Sequence, residues 1–144
     1  MMKWNPLSQK RETEAETNIV LDTNILVSAA CFPGRNASNI LNAAFARKFT
    51  VCYDYRILEE DDRVLHYPKL DFREWEINAI LDPLVKNGIS VVADPIPEIP
   101  FERDETDRTF YEAAKFCHAI LITGSFSHSP QDPEIMFPAD FCQR

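Results

Sequence analysis

The chain has 144 residues, of which 45% are hydrophobic and 11% aromatic, as expected for one packed globular domain rather than a disordered protein. Its formal net charge of −8 argues against broad electrostatic attraction to nucleic acid, although acids gathered around a bound cation would still be compatible with such a substrate. No apolar run approaches the roughly 20 residues that cross a bilayer, so we expect a cytoplasmic protein without a membrane partner.

The N-terminal segment differs from the rest of the chain. Met1 to Thr17 is mostly polar, has no periodic apolar face and lacks the apolar core of a signal peptide. We therefore expect a flexible tail over residues 1–17 and a single domain over residues 18–144. The four cysteines contain no Cys-x-x-Cys pair, which favours buried reduced thiols over a zinc site.

Short apolar strands alternate with longer helices along the domain. Strands are predicted at residues 19–21, 49–53, 89–93, 119–123 and 135–137. Helices are predicted at residues 25–31, 36–48, 55–66, 72–87 and 105–118, with a last helical turn at Pro138. This alternation predicts parallel βαβ units, and hence an α/β fold: a three-layer α/β/α sandwich with a central, mainly parallel sheet.

Several helix boundaries follow from capping residues and proline. Asn36 or Ser38 is predicted to cap the second helix, Asp54 the third and Asp71 the fourth. Pro83 is predicted to kink or split the fourth helix, because it removes a backbone donor from the helix interior.

Asp22 directly follows the apolar run Ile19–Leu21, at the predicted end of a buried parallel strand. A carboxylate there points into the crevice where open α/β sheets bind ligands. Burying it is costly unless a positive charge, usually a metal, compensates it. A structural alternative stays open, in which the Asp22 side chain accepts a hydrogen bond from the Asn24 amide in a turn.

Four consecutive acids, Glu59 to Asp62, lie on the third predicted helix. On helical spacing, Glu59 is opposite the apolar stripe, whereas Glu60 and Asp62 lie on its flanks. Asp61 lies near the middle of the stripe, an unusual place for a charge unless that end of the helix borders a polar crevice. The structural alternative for the whole run is a solvated acidic face.

Asp104, Glu105 and Asp107 surround the start of the helix predicted at residue 105. Asp107 shares a side of this helix with Phe110 and Ala114, so we expect it to face the sheet. Capping by Asp104 or Thr106 is the structural alternative, since acids stabilise helix N-termini.

These acids can converge on one crevice. Carboxylates gathered there repel each other, and Mg²⁺ or Mn²⁺ keeps them ionised while retaining waters and substrate phosphates. A hard cation that polarises a phosphoryl oxygen and lowers the pKa of a bound water performs phosphodiester hydrolysis.

Four ordered motifs carry a family resemblance over residues 18–144. They are Leu21–Ala29; Ile57–Glu60 with Val64, Leu65 and Pro68–Leu70; Arg103–Asp107 with Phe110, Ala113 and Ala114; and Ile122–Gly124 with His128, Pro130 and Pro138–Phe141. Together they resemble PIN-domain endoribonucleases, particularly the branch of toxin components of bacterial toxin–antitoxin pairs.

The resemblance implies roles for individual residues. Asp22, Glu60 and Asp107 correspond to acids that bind one or two Mg²⁺ or Mn²⁺ ions and activate water for attack on an RNA phosphate. Asp104 corresponds to an additional acid of this branch. Asn24, Thr123 and Ser125 correspond to positions that orient the acids or water.

Two residues depart from the family pattern. Ser125 stands where the family often has Asp and this branch often has Asn, which removes a charge near a second metal. Asp61 stands where an aromatic residue is common, and it can substitute for or supplement Glu60. Arg35, Arg103 and Arg108 are candidates for pairing with RNA phosphates, although long surface arginines are usually solvated.

The leading hypothesis is a metal-dependent endoribonuclease acting on single-stranded or loop RNA, whose backbone can enter the crevice. A small antitoxin partner and a homodimer are implied by the resemblance alone. The main alternative is a PIN-like binding module without catalysis. A phosphatase with Asp22 as nucleophile is disfavoured, because such enzymes generally need a second Asp where this chain has Asn24.

Overall fold

The computed structural model describes residues 17–96, 105–124 and 134–143, with the side chains at positions 105–107 excepted. In these ranges the strands are β1 (Asn18–Leu21), β2 (Thr50–Asp54), β3 (Ile89–Val91), β4 (Ile120–Ile122) and β5 (Ile135–Met136). The α-helices are α1 (Thr23–Cys31), α2 (Asn36–Phe45), α3 (Tyr55–Leu65), α4 (Glu74–Asn87), α5 (Glu105–Phe116) and α6 (Pro138–Cys142), and Pro68–Leu70 forms a 3₁₀ turn. The predicted tail lies outside the described residues except for Thr17.

The five strands form one parallel sheet in the order β3-β2-β1-β4-β5. β1 lies in the middle, where Ile19 pairs with Val51 of β2 and with Ile120 of β4. Successive side chains of a strand point to opposite faces. Ile19 and Leu21 accordingly pack into a core with α1, α2 and α4, whereas Val20 packs into a second core with α5. Helices therefore cover both faces, which confirms the predicted α/β sandwich.

Two helices end earlier than predicted. α2 ends at Phe45 rather than near residue 48, and α5 ends at Phe116 rather than at residue 118. In each case a residue just beyond the helix adopts a left-handed conformation, Arg47 with φ 65° and His118 with φ 53°. A left-handed residue cannot continue a right-handed helix, and neither residue is a glycine that would have signalled the stop.

The predicted cap residues of two helices were wrong. Arg35 occupies the N-cap position of α2 and Arg73 that of α4, so Asn36, Ser38 and Asp71 cap neither helix. Glu76 stabilises the start of α4 by accepting a hydrogen bond from the Arg73 amide at 2.8 Å. α4 also continues through Pro83 without being split.

The described helices include none that is long and apolar enough to span a bilayer. The cysteines divide by environment: Cys52 is buried, Cys117 is half-buried beside it, and Cys31 and Cys142 are exposed. Burial, together with the neighbouring Cys117 thiol, raises the pKa of the Cys52 thiol to about 12.

These environments predict how the thiols react. In native protein at pH 8, we expect iodoacetamide to modify Cys31 readily and Cys52 hardly at all, because the thiolate is the reactive form. Mass spectrometry of tryptic peptides after brief labelling, with and without urea, measures both sites. Equal labelling of the two cysteines in native protein would contradict the burial of Cys52.

Candidate functional site

The parallel register places polar residues at one edge of the sheet. Leu21 of β1 pairs with Ile122 of β4, so Asp22 and Thr123 follow their strands side by side. β2 pairs with β1 on the other side and ends at Asp54, which is fully buried. Because the carboxyl ends of parallel strands share an edge, these three residues line the position at which open α/β sheets bind ligands.

Asp22 is held from two directions. Its Oδ1 accepts a hydrogen bond from the Asn24 amide at 3.1 Å, and its Oδ2 accepts one from the Thr123 hydroxyl at 2.7 Å. The first contact makes Asp22 the N-cap of α1, so the structural alternative from the sequence is present. An ionised carboxylate offers about four acceptor positions, and these two bonds leave acceptor capacity for a further ligand.

Asp61 lies beside Asp22 in the interior of the protein. The α3 residues Ile57, Asp61 and Leu65 recur every four positions and are buried together, which is the central place in the stripe that the sequence predicted. Asp61 is 4% exposed, and its Oδ1 accepts a hydrogen bond from the Thr23 hydroxyl at 2.7 Å. Thr23 thereby joins the start of α1 to α3.

The pKa of the Asp61 carboxyl is raised to about 7, chiefly by burial and also by the negative charges of Asp22 and Glu60, although the bond from Thr23 opposes the shift. Within the described chain, Thr23 is the one hydrogen-bond partner of this carboxyl, and its second oxygen has none. A buried carboxylate oxygen without a partner is costly. A cation at this edge would both satisfy that oxygen and favour the ionised form.

Glu60 has a different environment from Asp61. Its side chain is 22% exposed and forms an ion pair with Arg63, one turn further along α3. Asp62 is exposed and lies 3.6 Å from the His66 ring, and Glu59 is exposed as well. To ligate a metal, Glu60 would have to exchange Arg63 for the ion, whereas Asp61 already faces the interior.

The other predicted residues are only partly described. Asp107 lies in the first turn of α5, where its side chain is not described, and Arg103, Asp104 and Ser125 lie outside the described residues. Arg108 is half-buried and donates a hydrogen bond to the Ile96 carbonyl at 2.6 Å. Arg35 is exposed at the start of α2.

Three buried or charged residues at this edge were not predicted as site residues: Asp54, Arg56 and Glu112. The sequence assigned Asp54 only a capping role, which it does fulfil by accepting a hydrogen bond from the Arg56 amide. The available signal was its position directly after the core of β2, equivalent to that of Asp22 after β1. Glu112 carried no signal, because one acid on a helix is usually solvated.

The described side chains do not by themselves provide a complete set of metal ligands. Among the described side chains, no three His, Cys, Asp or Glu residues are grouped to hold a metal ion. Asp22 and Asp61 are two buried oxygen donors at one place, and oxygen donors are the ligands that Mg²⁺ and Mn²⁺ prefer. The chemistry of these two donors fits a hard cation, although two carboxylates do not make a complete metal site.

A central parallel sheet, helices on both faces and buried carboxylates at the carboxyl edge define the class of protein. The chain belongs to the PIN domain family, whose sequence profile matches residues 18–126. It is similar to the uncharacterized protein MJ1680 of Methanocaldococcus jannaschii, with 33% identity over 107 residues that cover 74% of this chain and 69% of the archaeal protein. No solved structure matches the chain.

Family membership gives the protein a nuclease-like fold, since PIN domains are generally nucleases that use divalent metals. The matched segment contains both hydrogen-bonded pairs of the candidate site, Thr123 with Asp22 and Thr23 with Asp61.

Proposed function

We propose that this protein is an endoribonuclease that hydrolyses RNA phosphodiester bonds with Mg²⁺ or Mn²⁺. The observation that carries the proposal is the pair of buried acids, Asp22 and Asp61, at the carboxyl edge of a PIN-domain sheet. Two carboxylates are not kept together in a protein interior without a compensating charge or a proton. A divalent cation supplies that charge.

In this proposal Asp22, Glu60 and Asp107 hold the ion, with Asp61 beside Glu60 and Asp104 near Asp107. When bound, the ion would lower the pKa of a water molecule and polarise a phosphoryl oxygen. Thr123 fixes one oxygen of Asp22, and Thr23 fixes one oxygen of Asp61, so that both carboxylates are oriented before any ligand arrives.

RNA has to be held by the residues around the acids. Arg35, Arg103 and Arg108 are proposed to pair with phosphates, and Asn24 and Ser125 to orient water or the acids. Asn24 is exposed and lies two residues after Asp22, so its side chain is accessible to a substrate. Single-stranded or loop RNA suits such a site, because an unpaired backbone can be drawn into a crevice.

The biological setting extends the proposal. A role as the toxin of a toxin–antitoxin pair, a small antitoxin partner and a homodimer rest on the motif resemblance alone. Co-purification of a small protein encoded beside this chain would support the toxin role, and a monomer by light scattering would count against the dimer.

A second function, a PIN-like binding module without catalysis, is favoured by one specific contact. Glu60 is neutralised by Arg63, and such a pair lowers its availability as a metal ligand. The two functions differ in metal binding: an endoribonuclease binds Mn²⁺ measurably in isothermal titration calorimetry, whereas a binding module does not.

Cleavage of a fluorescent single-stranded RNA tests the catalytic proposal directly. We expect the wild type to cleave only with Mg²⁺ or Mn²⁺, and Asp107→Asn to lose at least about 100-fold in kcat, because weakening a partner of a metal ligand already costs 10–100-fold. Asp62→Asn is the matched control, since this exposed acid lies outside the site. Full activity in Asp107→Asn would exclude Asp107 as the third acid.

A further inference from the structure

Asp54 is unusually well bonded for an acid that the proposed reaction does not use. Its Oδ1 accepts hydrogen bonds from the Arg56 amide at 2.9 Å and from Arg56 Nε at 3.0 Å. Its Oδ2 accepts from Arg56 Nη2 at 2.9 Å and from the Ala93 amide at 3.0 Å. Burial by itself would raise the pKa of this carboxyl, but the bonds from Arg56 and Ala93 outweigh it and hold the pKa below its ordinary value.

Glu112 completes the arrangement from α5. Its side chain is 3% exposed, its Oε2 accepts a hydrogen bond from the Ile96 amide at 2.8 Å, and its Oε1 lies 4.0 Å from Arg56 Nη2. Arg108, one turn before Glu112, donates to the carbonyl of the same Ile96. Residues 93–96 are therefore tied to β2 at one end and to α5 at the other.

The guanidinium of Arg56 is the charge that joins the two acids. It stands between the buried carboxylates of Asp54 and Glu112, while 40% of its own side chain remains exposed. Without it, two buried negative charges would lie close together with no compensating cation, which is costly. These three residues, which we call the Asp54–Arg56–Glu112 bridge, link the start of α3 to the middle of α5.

The bridge connects the elements that carry the proposed metal ligands. Glu60 and Asp61 lie one turn beyond Arg56 on α3, and Asp107 lies in the turn of α5 that precedes Glu112. Asp54 itself ends the strand beside β1, which ends at Asp22. A metal site is sensitive to the spacing of its ligands, and a displacement of about 1 Å can cost 100-fold in rate.

We infer that the Asp54–Arg56–Glu112 bridge positions α3 and α5 so that their acids meet at Asp22. The inference rests on the proposed function and adds positioning residues to it. The three bridge residues are not among the proposed metal ligands or RNA contacts. It acts through the backbone of α3 and α5, and it is absent from the motifs that the sequence displays.

Arg56→Met and Glu112→Gln test the bridge. Arg56→Met removes the charge that compensates two buried carboxylates, so we expect a lower free energy of unfolding, and circular dichroism checks that the variant is folded at the assay temperature. Glu112→Gln keeps an acceptor for the Ile96 amide and removes the negative charge. Arg56→Lys is the conservative variant, and Lys115→Met is the matched control, because Lys115 lies on α5 and pairs with Glu134 outside the bridge.

In each bridge variant we expect Mn²⁺ to bind about tenfold more weakly and kcat for RNA to fall about tenfold, the lower end of the range for supporting residues of metal sites. The KM for RNA should stay unchanged, Arg56→Lys should regain part of the Mn²⁺ affinity, and Lys115→Met should match wild type. Calorimetry with Mn²⁺ in the absence of RNA distinguishes a weakened metal site from an effect on RNA contacts.

A purely structural role would lower the melting temperature but leave the Mn²⁺ affinity and kcat of folded Arg56→Met at wild-type values, and that result would overturn the inference. If Glu112→Gln does not fold, the comparison of Arg56→Met with Arg56→Lys decides, and if Arg56→Met does not fold, the comparison of Glu112→Gln with wild type decides in the same way. Wild-type protein that neither binds Mn²⁺ nor cleaves RNA would instead refute the proposed function on which the bridge depends.

Discussion

Asp22→Asn is expected to abolish Mn²⁺ binding and to lower metal-dependent RNA cleavage by at least about 100-fold, while the fold is retained. The carboxylate of Asp22 is the proposed ligand nearest the centre of the sheet, and an amide is a much poorer partner for a hard cation than a carboxylate. Loss of a ligand should exceed the 10–100-fold cost of losing a residue that only supports one.

Asparagine suits this test because it preserves the structural contacts of Asp22. Its carbonyl oxygen can still accept from the Asn24 amide, and its NH₂ group can donate to the Thr123 hydroxyl, which rotates to accept. Asn is also as good an N-cap as Asp, so α1 should form normally. Any loss of function in Asp22→Asn can therefore be attributed to the loss of the negative charge.

Calorimetry with Mn²⁺ and a fluorescent RNA assay measure the two effects, and circular dichroism checks the fold. Asp82→Asn is the control, because Asp82 is exposed on α4 and contributes to no proposed site. If Asp22→Asn binds Mn²⁺ as tightly as wild type, the edge of the sheet is not a metal site and the binding-module alternative gains support.

The second large effect is expected in metal-free protein. Asp61→Asn should stabilise the protein at pH 8 by on the order of 2–4 kcal/mol, since each pKa unit corresponds to about 1.4 kcal/mol. The cause is the cost of ionising a carboxyl that is 4% exposed and lies near Asp22 and Glu60. Asn keeps an acceptor for the Thr23 hydroxyl but carries no charge.

The direction of the pH dependence follows from the raised pKa of Asp61. The ordinary value is 3.8 and the folded value is about 7, so between these pH values the folded state holds a proton that the unfolded state has released. Stability then decreases as pH rises through this window. The stabilising effect of Asp61→Asn should accordingly be small near pH 4 and complete above pH 7.

Urea unfolding in EDTA at pH 4, 6 and 8 measures this effect, with Asp62→Asn as the exposed control on the same helix. At pH 8, adding Mn²⁺ should reverse the order of stability of the two proteins. The metal should raise the free energy of unfolding of the wild type more than that of Asp61→Asn. The same pH slope in wild type and Asp61→Asn would show that Asp61 is not buried as described.

The sequence predicted the architecture because each strand and helix carries a local signal. Ile19–Leu21 and Ile120–Ile122 are short aliphatic runs, and the order of elements leaves few topologies for a parallel sheet. The position of Asp61 in the buried stripe of α3 was also predictable, because helical spacing alone determines it.

The contacts of the candidate site were less predictable. The bonds from Thr23 to Asp61 and from Thr123 to Asp22 join residues 38 and 101 positions apart. Such pairs depend on which strands are neighbours and on register, which no local pattern specifies. Asp54 was assigned only as a helix cap because β2 was predicted to end one residue early. The contact between Arg56 and Glu112 depends on how α3 packs against α5, which the sequence does not specify.

The central position of β1 also affects how a newly made chain acquires its site. β1 leaves the ribosome well before its neighbour β4, because Asp22 and Thr123 are 101 positions apart in the chain. Pairing over so large a loop is slow and late in folding. The bond between Thr123 and Asp22 therefore cannot form until the segment that contains β4 has been translated and has paired with β1.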